Sequence, residues 1–300
     1  MKKVLQVSIL IILLVLVGTI FFKMVSGKSA KSENRPIKVT KSVADKVVSE
    51  SSDKPQSSTS SAEDVSKSES EPKWVKSETP IKFPILMYHH IADVVDGNTL
   101  FVPADEFKME MTALKHAGYY TLSPEEAYRV LTTNEKPADK IVWVTFDDGY
   151  KNALDTAMPI LTELGMKGSF FIITGMVGNA DKMTDEGLLK LKANPLMSLG
   201  SHTVYHPDLE FSSNEAANAE LVDSKHYLDS LLYQETSVIC YPAGRYNAQT
   251  GSLAEAAGYK LGLTTHPGLA SSADGLFALN RVRVSYGHSE ASFMNLIGNQ

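Results

Sequence analysis

Two carboxylates and two imidazoles are spaced in this sequence as a divalent metal site would need them. Asp147 and Asp148 stand together in Val144-Thr145-Phe146-Asp147-Asp148-Gly149, directly after the apolar run Ile141-Val142-Trp143-Val144. That run reads as a buried strand of a parallel sheet. Two adjacent carboxylates at its end must be paired, hydrogen-bonded or metal-bound. Gly149 frees the chain to turn so that both side chains can face one cavity. Taken alone, the dipeptide also fits an Asp-Gly turn in which Asp148 caps the next helix. The segment that alters this reading lies downstream, in Ser201-His202-Thr203-Val204-Tyr205-His206-Pro207. Histidines four apart share one side of a helical turn. Imidazole suits zinc and other late first-row metals, and a carboxylate completes three ligands with an open position for water.

These two motifs resemble the first two of the polysaccharide deacetylases, the NodB-homology domain of carbohydrate esterase family 4. A third match follows at Tyr241-Pro242-Ala243-Gly244, after Ser237-Val238-Ile239-Cys240, and the resemblance spans about residues 82 to 295. It implies a distorted (β/α) barrel, a divalent metal (most often Zn2+) and removal of N-acetyl groups from GlcNAc polymers. Carried onto this chain, it makes Asp148, His202 and His206 the metal ligands and Asp147 the general base. The Ala243 backbone N–H becomes an oxyanion donor, and Tyr241, Pro242 and Gly244 become substrate-binding candidates.

The chain departs from the family pattern in two places. Cys240 stands where the family has an Arg that steadies the catalytic Asp. Arg245, or Arg281 and Arg283 in Leu279-Asn280-Arg281-Val282-Arg283-Val284, would then supply the guanidinium; Arg245 and Arg283 are carried forward as the candidates. The Leu-x-His motif expected near the C-terminus is also missing. Pro84-Ile85-Leu86-Met87-Tyr88-His89-His90 supplies Met87-x-His89 at the domain start instead. That order resembles a circularly permuted subgroup that includes poly-GlcNAc deacetylases. His89 is therefore the general-acid candidate, with His266 in reserve.

The elements needed to position these residues are legible as an alternating α/β pattern. Strands are expected at Pro84–Tyr88, Ile141–Phe146, Gly168–Thr174, Met197–Gly200, Ser237–Tyr241, Tyr259–Thr264 and Leu279–Val284. Helices are expected at Ala104–His116, Pro124–Leu131, Ala153–Leu164, Asp185–Ala193, Asn214–Leu232 and Gln249–Ala257. Ser123 with Glu126 reads as a capping box, and Gly118, Gly165 and Gly258 fall where helices should end. Such alternation argues for a parallel sheet. Its closure into a barrel is implied by the resemblance alone. The candidate residues fall at strand C-termini, where barrel active sites assemble.

The first eighty residues have another character. Val4–Phe22 is apolar and long enough to cross a hydrocarbon core. Lys2 and Lys3 precede it, favouring a cytoplasmic N-terminus and an extracellular remainder. A cleavable signal peptide, which would release the protein, is the competing reading. Residues 26–80 are rich in Ser, Lys and Glu and read as a disordered linker. The expected organisation is thus an anchor over 1–25, a linker over 26–80 and a catalytic domain over 81–300. One cysteine excludes an internal disulfide, and a net charge of −6 leaves no basic footprint for nucleic acid. The expected partners are a GlcNAc-containing polysaccharide and, through the N-terminal helix, a membrane. An N-deacetylase explains every motif. An O-acetyl esterase on xylan or wall polymers would use the same site, and a wall-binding module with a decayed site would need the intact carboxylates and imidazoles to be idle.

Overall fold

The structure, a computed structural model, describes residues 72–298. The expected membrane span Val4–Phe22 and most of the expected linker lie outside the described residues. Among the described residues, no helix is long and apolar enough to cross a membrane.

Seven parallel strands form a closed barrel. In chain order the barrel strands and one short flanking strand, β2, are β1 (Ile85–Tyr88), β2 (Tyr119–Thr121), β3 (Lys140–Phe146), β4 (Gly168–Ile172), β5 (Met197–Ser201), β6 (Val238–Cys240), β7 (Leu261–Pro267) and β8 (Leu279–Arg283). Around the barrel the order is β1-β8-β7-β6-β5-β4-β3, and β3 closes it by pairing back onto β1. The closing register runs from Ile85 opposite Trp143 to Tyr88 opposite Phe146. The short β2, absent from the sequence expectation, pairs with the first residues of β3. Among the described residues seven α-helices accompany the strands: α1 (Ala104–His116), α2 (Pro124–Thr133), α3 (Met158–Leu164), α4 (Asp185–Lys192), α5 (Asn214–Leu232), α6 (Thr250–Ala256) and α7 (Glu290–Gly298).

The period of two along each strand divides the core. On β3, Ile141 and Trp143 join Ile85, Phe171, Val238, Cys240, Leu261, Leu263 and Leu279 in one buried cluster that fills the barrel. Val142, Val144 and Phe146 alternate with them and join a second cluster under the helices. Every β3 residue after Lys140 is buried, as the apolar run requires. Helix ends follow local chemistry. The Ser123 hydroxyl accepts from the Glu126 N–H at 3.2 Å while the Glu126 carboxylate accepts from the Ser123 N–H at 2.7 Å, a complete capping box. A π-helical turn at Ala153–Ala157 leads into α3, the kind of irregularity that collects beside functional sites.

The last residues of the expected linker are part of the folded unit. Val75–Lys76 pairs with Glu135–Lys136, and the Arg129 guanidinium lies 4.2 Å from the Trp74 ring centre. Asn134 donates through its side chain to the Ser77 carbonyl at 2.8 Å. The composition argument misses this docking because one Trp and an edge pairing suffice for it. These contacts lie just before Lys140, where β3 starts, so the chain enters the barrel at the end opposite the strand C-termini.

A buried carboxyl group sits outside the barrel. Glu110 on α1 is fully buried and accepts from the Tyr88 hydroxyl at 2.7 Å, while its Oε1 has no hydrogen-bond partner. Burial pushes its carboxyl up to about 8 from the ordinary 4.5. The folded state therefore keeps a proton that the unfolded chain releases, and stability falls as pH rises between those values. Glu110→Gln is expected to flatten this slope and to be the more stable form near pH 9 by a few kcal/mol, since one pKa unit is worth about 1.4 kcal/mol. Urea midpoints of both proteins at about pH 5 and pH 9 check it; parallel pH dependence would mean that Glu110 ionises in place.

Candidate active site

The candidate residues meet at the C-terminal mouth of the barrel. Asp147 continues the inward-facing series of β3, and its N–H donates to the Tyr88 carbonyl of β1 at 2.9 Å. Asp148 then leaves the strand at φ +71°, a left-handed conformation unusual for a residue with a Cβ, and Gly149 continues the turn at +67°. This break in the period of two lets adjacent carboxylates serve one cavity in different directions.

Asp148 faces the histidines. Its Oδ1 lies 3.2 Å from His202 Nε2 and 3.7 Å from His206 Nε2. The two rings stand edge to face with centroids 4.8 Å apart. They do not share a helical turn, which is a correction to the spacing argument. His202 ends β5, and the loop beyond it passes through left-handed backbone at Thr203 (φ +66°) and His206 (φ +58°). Short side chains hold that loop. Glu220 on α5 accepts from the N–H groups of Val204 at 2.8 Å and Tyr205 at 2.9 Å, and Thr203 Oγ1 accepts from the His206 N–H at 3.0 Å.

These three residues fit a metal ion. His202 Nδ1 lies 2.7 Å from the Cys240 carbonyl and can only donate to it, which leaves Nε2 as a lone-pair donor facing Asp148. Tetrahedral zinc with bonds of about 2.0–2.1 Å sets its ligand atoms roughly 3.3 Å apart, close to the spacings present. The donor set of two imidazole nitrogens and one carboxylate suits zinc and its neighbours. Asp147, His202 and Cys240 also cluster within metal-binding reach. There, however, the Asp147 carboxylate is already taken by a fixed cation.

That cation is Arg281 on β8. Its Nη1 donates to Asp147 Oδ1 at 2.8 Å and its Nη2 to Asp147 Oδ2 at 2.7 Å, a bidentate pair with the guanidinium fully buried. Neither Arg245 nor Arg283 takes this place. Arg245 is exposed and pairs with Asp208, and Arg283 lies exposed at the mouth. Inward parity along Leu279, Arg281 and Arg283 leaves only Arg281 deep enough to reach Asp147. Cys240 makes the substitution of one arginine for another possible. Its small side chain, 3.1 Å from Arg281 Nη2, leaves the volume that the guanidinium fills. Burial alone would raise the Asp147 carboxyl, but Arg281 outweighs it and holds the group at about 2. Asp148 is likewise lowered despite its burial, chiefly by the His202 ring.

His89, at the end of β1, places Nε2 3.9 Å from Asp147 Oδ2. Burial pushes its ring down to about 4, against the pull of both carboxylates. It is therefore neutral at pH 7, not the resting cation that a simple acid would be. His266 is exposed near the end of β7 and leans on Tyr246 with centroids 5.8 Å apart.

The third motif divides by burial. Ala243 is exposed at the rim in left-handed conformation (φ +51°), with its carbonyl held by Thr265 Oγ1 at 3.1 Å. Tyr241, Pro242 and Gly244 are buried, which corrects their reading as substrate contacts. Tyr241 packs with Leu209 and Ile239, and a Cβ on Gly244 would fall 2.2 Å from Thr265 Oγ1. These residues shape the turn that presents Ala243.

The polysaccharide deacetylase family model matches residues 134–262. YxkH of Bacillus subtilis (strain 168), provisionally named a polysaccharide deacetylase, is 43% identical over 220 residues, covering 73% of this chain and 77% of its own. The solved structure of the Streptococcus pyogenes deacetylase PplD in complex with acetate superposes with a TM-score of 0.71 at 43% identity, over 73% of this chain and 99% of that one. The poly-beta-1,6-N-acetyl-D-glucosamine N-deacetylase of Staphylococcus epidermidis is 25% identical over 159 residues, covering 49% of this chain and 55% of its own.

Two outcomes follow from the geometry. Removing one partner of a buried ion pair costs about 3–5 kcal/mol because the other charge is stranded. Asp147→Asn should therefore melt well below the parent protein, and Asp147→Asn with Arg281→Met should recover most of that loss without recovering turnover. Equal melting of the single variant and the parent would show that Arg281 finds another anion. Separately, His202→Ala with His206→Ala should abolish stoichiometric zinc by elemental analysis, while Glu110→Gln keeps it; full zinc in the double variant would place the metal elsewhere.

Proposed function

The chain belongs to the polysaccharide deacetylase family, and we propose that its barrel is a metal-dependent N-deacetylase acting on GlcNAc residues of a cell-wall or cell-surface polysaccharide. The observation that carries this reading is the division of labour between adjacent carboxylates: Asp148 turned to two histidines, Asp147 clamped by Arg281 beside His89. Similarity to a solved deacetylase with acetate, the acyl product of such a reaction, and to a poly-GlcNAc N-deacetylase supports the substrate class.

Asp148, His202 and His206 would hold the metal, with zinc the best match to the donor set. When bound, such an ion polarises an acetamide carbonyl and eases deprotonation of water. The chain's own residues manage the proton. Asp147, ionised by its pairing with Arg281, accepts the proton of the attacking water as the new C–O bond forms. His89, neutral at rest and across from Asp147, takes that proton on and delivers it to the nitrogen as the C–N bond breaks. Acetic acid and a free amine result: one water proton ends on the amine, and the other stays on the acid until it ionises to acetate in solvent. The Ala243 N–H, presented at the rim, donates to the oxyanion while the carbon is tetrahedral.

An amide nitrogen leaves only when protonated, whereas 4-nitrophenolate leaves without help. His89→Ala should thus keep zinc and lose about 10²–10⁴-fold in acetate release from N-acetylchitopentaose, while hydrolysis of 4-nitrophenyl acetate changes little. Equal losses on both substrates would remove His89 from leaving-group protonation, and amide turnover like that of the parent would return attention to His266.

A further inference from the structure

Among the described residues no hydrogen bond fixes the His89 ring: Asp147 Oδ2, 3.9 Å from its Nε2, lies beyond the usual limit of about 3.2 Å. Something else must aim it. The next residue, His90, is held on two sides. Its ring lies flat against Phe101, with centroids 4.1 Å apart and planes 3° apart, and stacks at a 29° tilt on Tyr150 with centroids 3.4 Å apart. The Lys182 ammonium caps Tyr150 at 3.2 Å from the ring centre. Phe101 is tied to the same loop by parallel pairing of His90–Ile91 with Phe101–Val102. Tyr150 is two residues beyond Asp148, and a backbone bridge joins it to Lys182. Asn152 spans the junction, with Nδ2 3.1 Å from His90 Nδ1 and Oδ1 accepting from the Ile91 N–H at 3.3 Å. The amide can only donate to Nδ1, so His90 is the neutral tautomer with its proton on Nε2.

We propose that the Phe101–His90–Tyr150 stack, capped by Lys182, sets the loop carrying His89 in register with the loop carrying Asp148, making His90 and Tyr150 positioning residues for protonation of the leaving nitrogen. The proposal rests on His89 as the proton donor. Its physical content is that flat aromatic faces resist shear between the two loops while leaving the His89 ring free of a hydrogen bond that would compete for its proton. Misplacement of a reacting group by about 1 Å can cost on the order of 10²-fold in rate, and His89 has no other tether on its ring.

The stack and a generic structural role differ in what they spare. With the zinc-loaded full chain, His90→Ala should lower kcat for N-acetylchitopentaose by about 10- to 100-fold with little change in KM. It should leave 4-nitrophenyl acetate hydrolysis and zinc content near those of the parent. His90→Phe, which keeps a flat ring but no imidazole, should restore amide turnover. In a His89→Ala background, His90→Ala should cost nothing further. Equal losses on amide and ester, failure of His90→Phe to rescue, or a further loss in the His89→Ala background would each overturn the proposal. If His89→Ala itself does not separate the two substrates, the assignment of His89 fails first and takes the stack with it. Independent of any substrate, crystals should hold His89 in one rotamer in the parent and His90→Phe, and in several in His90→Ala; one rotamer in all three also overturns it.

Discussion

The ion pair between Asp147 and Arg281 is the constraint on which the mouth of the barrel depends. Two charges removed from water are costly, and they persist only when their remaining hydrogen-bonding capacity is met. Here it is met from three other strands. Arg281 on β8 donates through Nε to the Thr264 carbonyl of β7 at 2.6 Å and through Nη1 to Thr145 Oγ1 of β3 at 3.3 Å. Nη2 reaches Cys240 of β6 as well as Asp147. A guanidinium carried by β8 and satisfied by β3, β6 and β7 cross-links the barrel at the level where chemistry begins. It also keeps Asp147 ionised and out of the metal's donor set.

Once Asp147 is fixed inward, Asp148 can reach the histidines only by leaving the strand, and the backbone records this. Four non-glycine residues at the mouth adopt left-handed conformations: Asp148, Thr203, His206 and Ala243. Each costs of order 1 kcal/mol or more and persists only where its surroundings dictate it. Those surroundings are identifiable: Thr203 Oγ1 and Glu220 around the histidine loop, and Thr265 behind Ala243. The strain is the local cost of aiming two ligands and one backbone donor at a common volume.

This explains which parts of the site were legible in sequence. The seven barrel strands follow from apolar runs, and Ala104–His116 and Asn214–Leu232 follow from helical periodicity with their end signals, because those patterns are local. The metal-site candidates were legible because the residue types are chemically unusual for a strand end and its loop. The geometry that unites the histidines was not, since spacing of four suggests a helix and says nothing of left-handed turns. Arg281 stood among the three candidate arginines but could not be singled out, for a related reason. Nothing near Cys240 in the chain reveals that its partner comes from a strand 41 residues away, and an arginine next to the motif looks the better candidate than one deep in a strand. Parity along Leu279-Asn280-Arg281 was the available signal. Burial of Tyr241 is likewise a tertiary fact, because an aromatic in a motif reads as a contact until the core around it is known. The C-terminal helix Glu290–Gly298, absent from the sequence expectation, buries only Phe293 and Ile297, too few positions to show a period.

The electrostatics of the mouth also limit how a proton can move. Environments that push paired titratable groups apart assign acid and base roles, but here both groups are pushed the same way. Arg281 holds Asp147 at about 2 and burial holds His89 at about 4. At neutral pH neither group carries a proton before substrate arrives, so neither can serve as a preloaded acid. In the proposed mechanism the proton that the amine needs comes from the attacking water, passed between two groups 3.9 Å apart. Such an arrangement couples attack to departure, because the leaving nitrogen cannot be protonated until the nucleophile has given up its proton. An ester with a good leaving group has no use for that coupling, whereas an amide depends on it.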